Sequence, residues 1–225
     1  MCIRDRSCSS PFWEGEDTGL KSYRLTVFDA LPRTGIPERF ASYAEFERHV
    51  NTLVNAELVE DGTMIWWDLR PSARYPTLET RVMDVCTNVD DALCLAAFVT
   101  CILRMLYRLR RRNQRWRIYT PSLLRENRWR AMRYSFDAGL LDFAKGEIVP
   151  FADLLEELLE LVDEDMDVLG CRDQLVHART IVARGSSAHK QVAAHKAALD
   201  AGASPMEAVQ AVVDHLIVET SAGLD

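Results

Sequence analysis

The sequence has no Cys-x-x-Cys pair and no His-Glu-x-x-His motif, although it contains six cysteines and five histidines. The spacings that hold zinc in small domains and metalloproteases are therefore absent, so a zinc site is not expected. Cys94 and Cys101 lie seven residues apart in an apolar run, which places them on one face of a predicted helix. We expect both to be buried, reduced thiols of a cytoplasmic protein.

Long hydrophobic runs are also missing, which argues against a membrane anchor. The apolar stretch from Ala92 to Leu103 is closed by Arg104 and is shorter than the ~20 residues that cross a bilayer. It predicts a buried helix, and no secretory signal is expected. The first eight residues, Met1 to Cys8, fit no element and resemble translated adaptor or vector sequence. We expect residues 1–8 to be a non-native leader.

An excess of positive charge is absent, because 27 Lys and Arg residues face 34 Asp and Glu residues, for a formal net charge of −7. The run from Arg108 to Arg117, with Trp116, would suit phosphate contacts and base stacking. That run is short and the remainder of the chain is acidic, so we expect no nucleic-acid partner. Pairing with the acidic segment from Asp153 to Asp167, within the fold or across a homo-oligomer, explains the arginines better.

Two neighbouring segments, each predicted to be a strand, interrupt their apolar pattern with charge. A strand points alternate side chains to opposite faces, so Asp68 and Arg70 share one face and Glu79 and Arg81 share another. If the strands pair, one side of a small sheet carries two acids and two arginines. This mixture suits Mg²⁺, phosphate and carboxylate groups, because acids hold the metal and guanidinium groups bind oxyanions bidentately. The alternative is a solvated surface of ion pairs.

The apolar residues of the same two strands predict the core side of the sheet. Ile65, Trp67 and Leu69 share one face of the first strand, and Leu78 and Val82 share one face of the second. From Asp90 onward the chain has only helical patterns, so the predicted class is α+β. It comprises a partial antiparallel sheet followed by a helical C-terminal half. The expected elements are strands at Lys21–Phe28, Trp67–Ser72 and Thr77–Asp84, and helices at Ser42–Glu57, Val89–Arg111, Ser122–Phe136, Phe151–Val162, Cys171–Ala183, Ser187–Leu199 and Ser204–Thr220.

Polar residues elsewhere add candidate anion binders. Arg24 and Arg33 flank a Gly- and Pro-rich stretch, where they either hold a substrate carboxylate or are simply solvated. In the helix beginning near Ser122, Arg130 and Arg133 lie on a charged stripe beside the core stripe, and Asn127 is a weaker candidate. The core stripe of this helix is predicted to contain Trp129, Met132 and Phe136.

Several motifs occur in an order that is hard to obtain by chance. They are Ser10-Pro11-Phe12-Trp13, Asp17-Thr18-Gly19-Leu20 with Ser22-Tyr23-Arg24, Pro32-Arg33-Thr34-Gly35-Ile36-Pro37, Trp67-Asp68-Leu69-Arg70-Pro71-Ser72, Leu78-Glu79-Thr80-Arg81-Val82 and the segment Arg125 to Tyr134. In these segments the chain resembles the carboxylate–amine ligases of the glutamate–cysteine ligase type 2 family, from about Ser9 to the C-terminus.

The resemblance implies a glutamine synthetase-like fold and ATP-dependent amide formation through an acyl phosphate. It begins in mid-domain, so we expect residues 9–225 to be the C-terminal portion of a single ligase domain, inactive alone. Glutamate and an amine such as cysteine are the implied substrates. Where relatives often carry arginine in a Gly-containing segment, this chain has Gly185 to Lys190, so a contact there is in doubt.

The resemblance also implies ATP and Mg²⁺ at the charged sheet face. Glu79 and Arg81 are the predicted catalytic pair, with Glu79 as a metal ligand and Arg81 on the phosphoryl group or a carboxylate. The predicted substrate- or ATP-binding residues are Arg24, Arg33, Asp68, Arg70, Asn127, Arg130 and Arg133. Two alternatives remain: a different amide- or peptide-forming ligase of the same fold, or an interaction module that has lost activity.

Overall fold

The computed structural model describes residues 10–222, so the predicted leader at 1–8 lies outside the described residues. The strands are β1 (Phe12–Trp13), β2 (Glu16–Asp17), β3 (Thr34–Gly35), β4 (Trp66–Trp67), β5 (Leu69–Pro71), β6 (Leu78–Thr80), β7 (Leu140–Asp142) and β8 (Glu147–Val149). The helices are α1 (Tyr23–Asp29), α2 (Tyr43–Asn55), α3 (Val89–Arg111), α4 (Pro121–Tyr134), α5 (Phe151–Leu161), α6 (Asp163–Leu169), α7 (Arg172–Val176), α8 (Ala178–Arg184), α9 (Ser187–Asp200) and α10 (Pro205–Ser221).

The strands between residues 10 and 222 form four two-stranded pairs. The pairs β1–β2, β5–β6 and β7–β8 are antiparallel, and β3–β4 is parallel. The pairing of the two charged strands is confirmed, since Arg70 lies opposite Glu79 in β5 and β6. Helices α1 and α2 lie among the early strands, and α3 to α10 make up most of the described chain after β6, so helices and small strand pairs are mixed. The relation to glutamine synthetase stays a prediction.

Helix α1 corrects the strand expected at Lys21–Phe28. Leu25 is buried and Phe28 is partly buried three residues later, so a helical period fits this short segment as well as alternation does. The backbone N–H groups of Lys21 and Ser22 both donate to the Met132 carbonyl, at 2.8 and 3.2 Å. These bonds attach the start of α1 to α4, a tertiary contact that the local sequence pattern does not reveal.

Helix α2 begins where its capping residues predict. Ser42 accepts a hydrogen bond from the Glu45 backbone at 3.2 Å, and the Glu45 carboxylate accepts one from the Ala41 N–H at 2.6 Å. Its apolar face packs Phe46 against Ile65 and Trp67 beside the charged strands. This small core positions β4 and, through it, β5.

Helix α3 has the predicted bounds, and its cysteines are buried as expected. Cys94 and Cys101 have no exposed surface and pack with helices α5 to α8 in the larger core. By length and composition alone, α3 could also cross a membrane. Cys94, Ala97, Cys101 and Met105 form its buried face against the larger core.

Acidic residues of α6 pair with the end of α3, as the charge pattern predicts. Asp165 is fully buried and is bound by Arg104 and Arg108, the latter at 2.8 Å. Glu164 also lies near Arg108, at 3.3 Å. Part of the basic run is therefore neutralised within the fold, which supports the interpretation given above for these arginines.

The prediction that the chain is wholly helical after Asp90 is wrong. The β7–β8 hairpin interrupts it, because Gly139 adopts a φ of +65° that L side chains rarely adopt. A Cβ at Gly139 would lie 2.3 Å from the Val149 carbonyl oxygen. The close approach of the backbone at Gly139 to the end of β8 therefore requires glycine at this position. The helix predicted at Cys171–Ala183 is likewise divided, into α7 and α8.

Candidate active site

The strand pair β5–β6 carries a charged cluster formed by Arg70, Glu79 and Arg81, which we call the charged clamp. The Arg70 Nε and Nη2 atoms both donate to Glu79 Oε2, at 3.1 and 2.8 Å. Arg81 binds the other carboxylate oxygen, Glu79 Oε1. Arg70 also donates to the Gly62 carbonyl and is only 5% exposed. The predicted shared face of Glu79 and Arg81 is therefore confirmed.

The clamp keeps Glu79 ionised. Burial by itself would raise the pKa of the Glu79 carboxyl, but hydrogen bonds and charge from Arg70, together with Arg81, outweigh burial and lower that pKa below its ordinary value. The Glu79 side chain is 39% exposed, so one edge of the clamp faces solvent. The result is a preorganised ion-pair group at a surface that solutes can reach.

The Asp68 carboxylate binds Arg128, an arginine that the sequence interpretation missed. Arg128 Nε donates to Asp68 Oδ2 at 2.7 Å, and Arg128 Nη1 donates to Asp29 Oδ2 at 2.7 Å. Burial lowers the pKa of Arg128, but its hydrogen bonds to the two carboxylates outweigh this and raise it. A signal was present: Arg128 lies one turn before Met132 on α4, on the side that faces the core.

Asp68 also connects the charged clamp to Arg128. Its carbonyl oxygen accepts the Arg81 backbone N–H at 2.7 Å, while its carboxylate holds Arg128. Asp68 and Arg81 border one small cavity of about 10 Å³. The four residues that the sequence placed on one sheet face are thus neighbours, although Asp68 is engaged with α4.

Arg24 is turned into the protein. Its side chain is 7% exposed, and its Nε donates to Asp84 Oδ1 at 2.7 Å. Its Nη2 donates to the carbonyls of Arg81, Val82 and Met83 at 2.9–3.1 Å. These bonds shape the chain after β6 and favour a structural role, while substrate binding by Arg24 stays a prediction.

A cavity of about 420 Å³ lies between α1, α4 and the chain after β6, and we call it the entrance cavity. Its walls are largely apolar, with Leu25, Val82 and Met132 among them. Asp68, Asp84 and Arg128 supply its charge. A concave apolar site with a few convergent polar groups is the usual form of a small-molecule pocket.

Other predicted site residues hold α4 and its flanking loops in place. Asn127 makes two hydrogen bonds with the Leu141 backbone, at 2.9 and 2.7 Å. Arg130 donates to the Gly139 carbonyl at 3.2 Å, and Arg133 donates to the Gly19 carbonyl. These contacts favour structural roles, so ligand binding by Asn127, Arg130 and Arg133 stays a prediction.

Arg33 lies beside the parallel β3–β4 pair. It adopts a φ of +62°, and its Nε donates to the Met64 carbonyl at 3.2 Å. Its guanidinium lies 5.8 Å from the centre of the Trp66 ring. These contacts hold Arg33 at the β3–β4 pair, and substrate binding by Arg33 stays a prediction.

Three core predictions at this site are wrong. Leu78 is 48% exposed and Val82 is 38% exposed, so neither faces a core within residues 10–222. Strand β6 is only three residues long and has β5 as its partner, which leaves its apolar side uncovered. Trp129 on α4 is likewise 45% exposed, whereas Met132 from the same predicted stripe is buried.

The segment Gly185 to Lys190, where a substrate contact was in doubt, makes internal contacts. His189 Nδ1 accepts the Ser186 backbone N–H at 3.1 Å and so caps α9. His189 Nε2 lies 2.9 Å from Asp137. Lys190 is paired with Glu219 of α10. The polar groups of this segment therefore cap α9 and connect it to the residues after α4 and to α10.

Glu79 has suitable chemistry for one ligand of Mg²⁺. The metal is commonly held by one or two carboxylates together with substrate phosphates and water, and Glu79 is an ionised, partly exposed carboxylate. Within residues 10–222 there is no group of three His, Cys, Asp or Glu residues that could enclose a metal. Glu79 therefore fits a shared site with phosphate better than an all-protein cage.

Comparison with known proteins decides the family. The model of glutamate–cysteine ligase family 2 matches residues 7–215 of the chain. The chain belongs to glutamate–cysteine ligase family 2. The charged clamp, Arg128 and the entrance cavity all lie within the matched region.

Relatives in this family share the sequence at high identity. A protein from Rhodospirillum rubrum called "Putative glutamate--cysteine ligase 2" is 62% identical over 96% of this chain and 56% of its own length. Proteins of the same name from Jannaschia sp. and Herpetosiphon aurantiacus are 52% and 41% identical, over 94% and 97% of this chain. These two alignments cover 56% and 54% of those relatives. The chain thus spans about half the length of the curated relatives that it matches.

Proposed function

We propose that the complete protein is a cytoplasmic, ATP-dependent carboxylate–amine ligase that joins glutamate to an amine. Membership of glutamate–cysteine ligase family 2 and the names of the relatives support the ligase class. Because the chain spans about half of the relatives' length, the activity is proposed for the whole protein. We infer that the 225-residue chain alone is inactive.

The charged clamp is the observation that carries this proposal. In the proposed reaction a glutamate carboxylate oxygen attacks the terminal phosphorus of ATP, and the bond to the departing ADP breaks. The amine nitrogen then attacks the acyl carbon, phosphate leaves, and the nitrogen loses a proton to solvent. Both steps build negative charge on oxygen, which a preorganised guanidinium stabilises. Arg81 supplies this charge, and Glu79 together with the buried Arg70 holds it in position.

When bound, Mg²⁺ would neutralise phosphate charge beside Glu79. Glu79 suits this role because its carboxylate stays ionised while it is held by two arginines. Arg128 and its two carboxylates stabilise the wall of the entrance cavity next to the clamp. Asp68 links that wall to the backbone of Arg81, so the cavity and the clamp form one site.

The test uses the full-length protein with ATP, Mg²⁺, glutamate and a panel of amines. We expect phosphate release that requires both glutamate and an amine, and an amide product detected by mass spectrometry. Omitting glutamate separates ligase activity from background ATP hydrolysis. Release without amide product would contradict the ligase proposal, and the absence of both would favour an inactive interaction module. Product from another carboxylate alone would favour a different ligase of the family.

A further inference from the structure

Ser22 has a hydroxyl group without a hydrogen-bond partner among residues 10–222. It is the residue before the first turn of α1, where a serine side chain ordinarily accepts a bond from the helix backbone. Here its side chain makes no capping bond, and Oγ is buried without a partner. The residue is 9% exposed. Leaving a buried hydroxyl without a partner destabilises the fold, so it calls for a ligand or a function.

Asp84 presents a second polar atom at the same place. Its Oδ1 accepts the bond from Arg24, whereas the described contacts give no hydrogen bond to Oδ2. Its side chain is 29% exposed. A carboxylate with one oxygen engaged and the other open can accept a hydrogen bond from a cationic or neutral amine.

Ser22 and Asp84 lie between the entrance cavity and a second one, which we call the apolar cavity. The apolar cavity has a volume of about 480 Å³, and Ser22, Asp84 and Ala131 line both cavities. Its walls are formed by side chains such as Phe98 and Leu155 from the larger helical core. Small-molecule pockets typically have about 300–1,000 Å³ and such apolar walls.

The charged groups of the apolar cavity do not attract an anion. Asp91 at its wall is already bound by His177, at 2.9 Å, and by Arg184. Lys21 lies 3.7 Å from Asp137 and is thereby partly neutralised. The open polar atoms at the boundary are a hydroxyl and a carboxylate oxygen, and both can accept hydrogen bonds from nitrogen.

We propose that the acceptor of this ligase is a primary amine with a bulky apolar group, and that the apolar group occupies the apolar cavity. The amine nitrogen donates to Ser22 Oγ and Asp84 Oδ2 at the boundary. From there the nitrogen faces the entrance cavity, which also contains Asp68. A side chain as small as that of cysteine would leave most of the apolar cavity unfilled. That the bound amine is the acceptor of a ligase reaction rests on the proposed function. Binding of the amine at this site can be tested without turnover.

The test measures binding of three probes to the 225-residue chain by titration calorimetry. 2-Phenylethylamine has both the apolar group and the amine, 2-phenylethanol lacks the amine, and cysteamine lacks the bulky group. We expect 2-phenylethylamine to bind at least about tenfold more tightly than either of the others, because each lacks one of the two interactions. Equal binding of cysteamine, or no binding of 2-phenylethylamine, would overturn the proposal.

Three variants connect the probe to the site. Ser22→Ala removes the orphaned hydroxyl, so 2-phenylethylamine should bind several-fold more weakly while the melting temperature is unchanged or raised. Ala131→Leu fills the boundary and should also weaken binding. Ala96→Leu makes the same change at an exposed position of α3 that lines neither cavity, and should leave binding unchanged. Lower stability of Ser22→Ala with unchanged binding would show that the hydroxyl serves the fold instead.

The outcome is separable from that of the proposed function. If the full-length protein forms amides with small amines but the chain does not bind 2-phenylethylamine, the ligase proposal stands and the acceptor class is wrong. If the probe binds with the expected variant pattern but no amide forms, the binding site stands and the ligase proposal fails.

Discussion

Arg70 and Glu79 lie directly opposite each other on β5 and β6, and two nitrogens of the buried guanidinium bind the same carboxylate oxygen. Glu79 in turn holds Arg81 through its other oxygen. Cross-strand register therefore sets the position of the arginine that we assign to the reaction. The same geometry means that a change at Glu79 acts on both activity and stability.

The first prediction concerns Glu79→Gln and Arg81→Lys in the full-length protein. Each should lower kcat by about 10²-fold or more, the scale for losing one preorganised electrostatic contact. Glu79→Gln should also lower the free energy of unfolding, by about 1–3 kcal/mol, because buried Arg70 loses its charged partner. Steady-state kinetics and urea unfolding measure the two effects.

Glu147→Gln is the matched control, since Glu147 lies exposed on β8 and should leave both quantities unchanged. In the 225-residue chain, Val82→Asp would unfold the protein if Val82 faced the core, and it should leave the free energy of unfolding nearly unchanged because Val82 is 38% exposed. It is a control for stability only, since Val82 lines the entrance cavity. Near-normal turnover in both Glu79→Gln and Arg81→Lys would show that the clamp is a surface ion-pair cluster only.

The second prediction concerns Arg128→Lys. Lysine keeps the charge but cannot reach Asp29 and Asp68 with a fork of donors, so the free energy of unfolding should fall by about 1–3 kcal/mol. Urea unfolding of the 225-residue chain measures this. Arg125→Lys on the same helix is the control, because Arg125 is exposed and has no ion pair among the described contacts. Equal losses of unfolding free energy in the two variants would show that the paired contacts of Arg128 do not stabilise the wall of the entrance cavity.

The third prediction concerns acid. Burial would raise the pKa of Asp165, but Arg108 and Arg104 outweigh it and lower the pKa below its ordinary value of 3.8. The unfolded chain then binds a proton that the folded protein does not bind, so this stabilisation is fully present above pH ~5 and decreases as pH falls through 3.8 toward the folded pKa. Asp165→Asn should therefore lower stability at neutral pH and flatten its acid dependence.

The acid prediction is measured by unfolding the chain in urea between neutral and acidic pH. Asp173→Asn, at an exposed position of α7 without a described ion pair, should keep the steeper acid dependence of the original chain. A profile for Asp165→Asn that is as steep as that of the original chain would show that the buried pair contributes nothing to the acid response.

The fourth prediction compares two glycines of the β7–β8 hairpin. Gly139 and Gly146 have φ values of +65° and +73°, so alanine is strained at both. Only at Gly139 would the new Cβ also meet a backbone atom, the Val149 oxygen at 2.3 Å; at Gly146 it would meet nothing within 4 Å. Gly146→Ala should cost about 1 kcal/mol and Gly139→Ala clearly more, measured by urea unfolding. Equal costs would mean that the hairpin can shift to admit the methyl group.

Several features could be predicted from the sequence because they depend on residues a few positions apart. Helix α3 begins after Asn88, whose side chain accepts the Asp90 N–H at 2.9 Å, and it ends at the expected arginines. Ser42 caps α2 through its side chain, and the capping box at Ser204 begins α10 as predicted. The period of two likewise indicated that Glu79 and Arg81 would lie on one side of their strand.

The alternating pattern gave wrong predictions where a segment is short or has no layer packed on its apolar face. Residues 21–28 alternate like a strand, yet Tyr23–Asp29 is a helix whose preceding residues are bonded to α4. Leu78 and Val82 have the spacing of core residues, but β6 has no covering layer on that side among the described residues. Periodicity tells which residues share a face and says nothing about what that face meets.

By itself, then, the sequence determined the local elements, the strand pair and the family motifs, since capping and alternation operate over two to four residues. Only the tertiary structure decided which charges meet. Arg128 finds Asp29 and Asp68 across 99 and 60 positions of the chain, and Arg24 finds Asp84 across 60. Among residues 10–222 it also left the Ser22 hydroxyl without a hydrogen-bond partner, between two cavities. Such contacts depend on how whole elements pack. A buried charge is stabilised by whichever opposite charge or polar group lies beside it in space, whatever their separation along the chain.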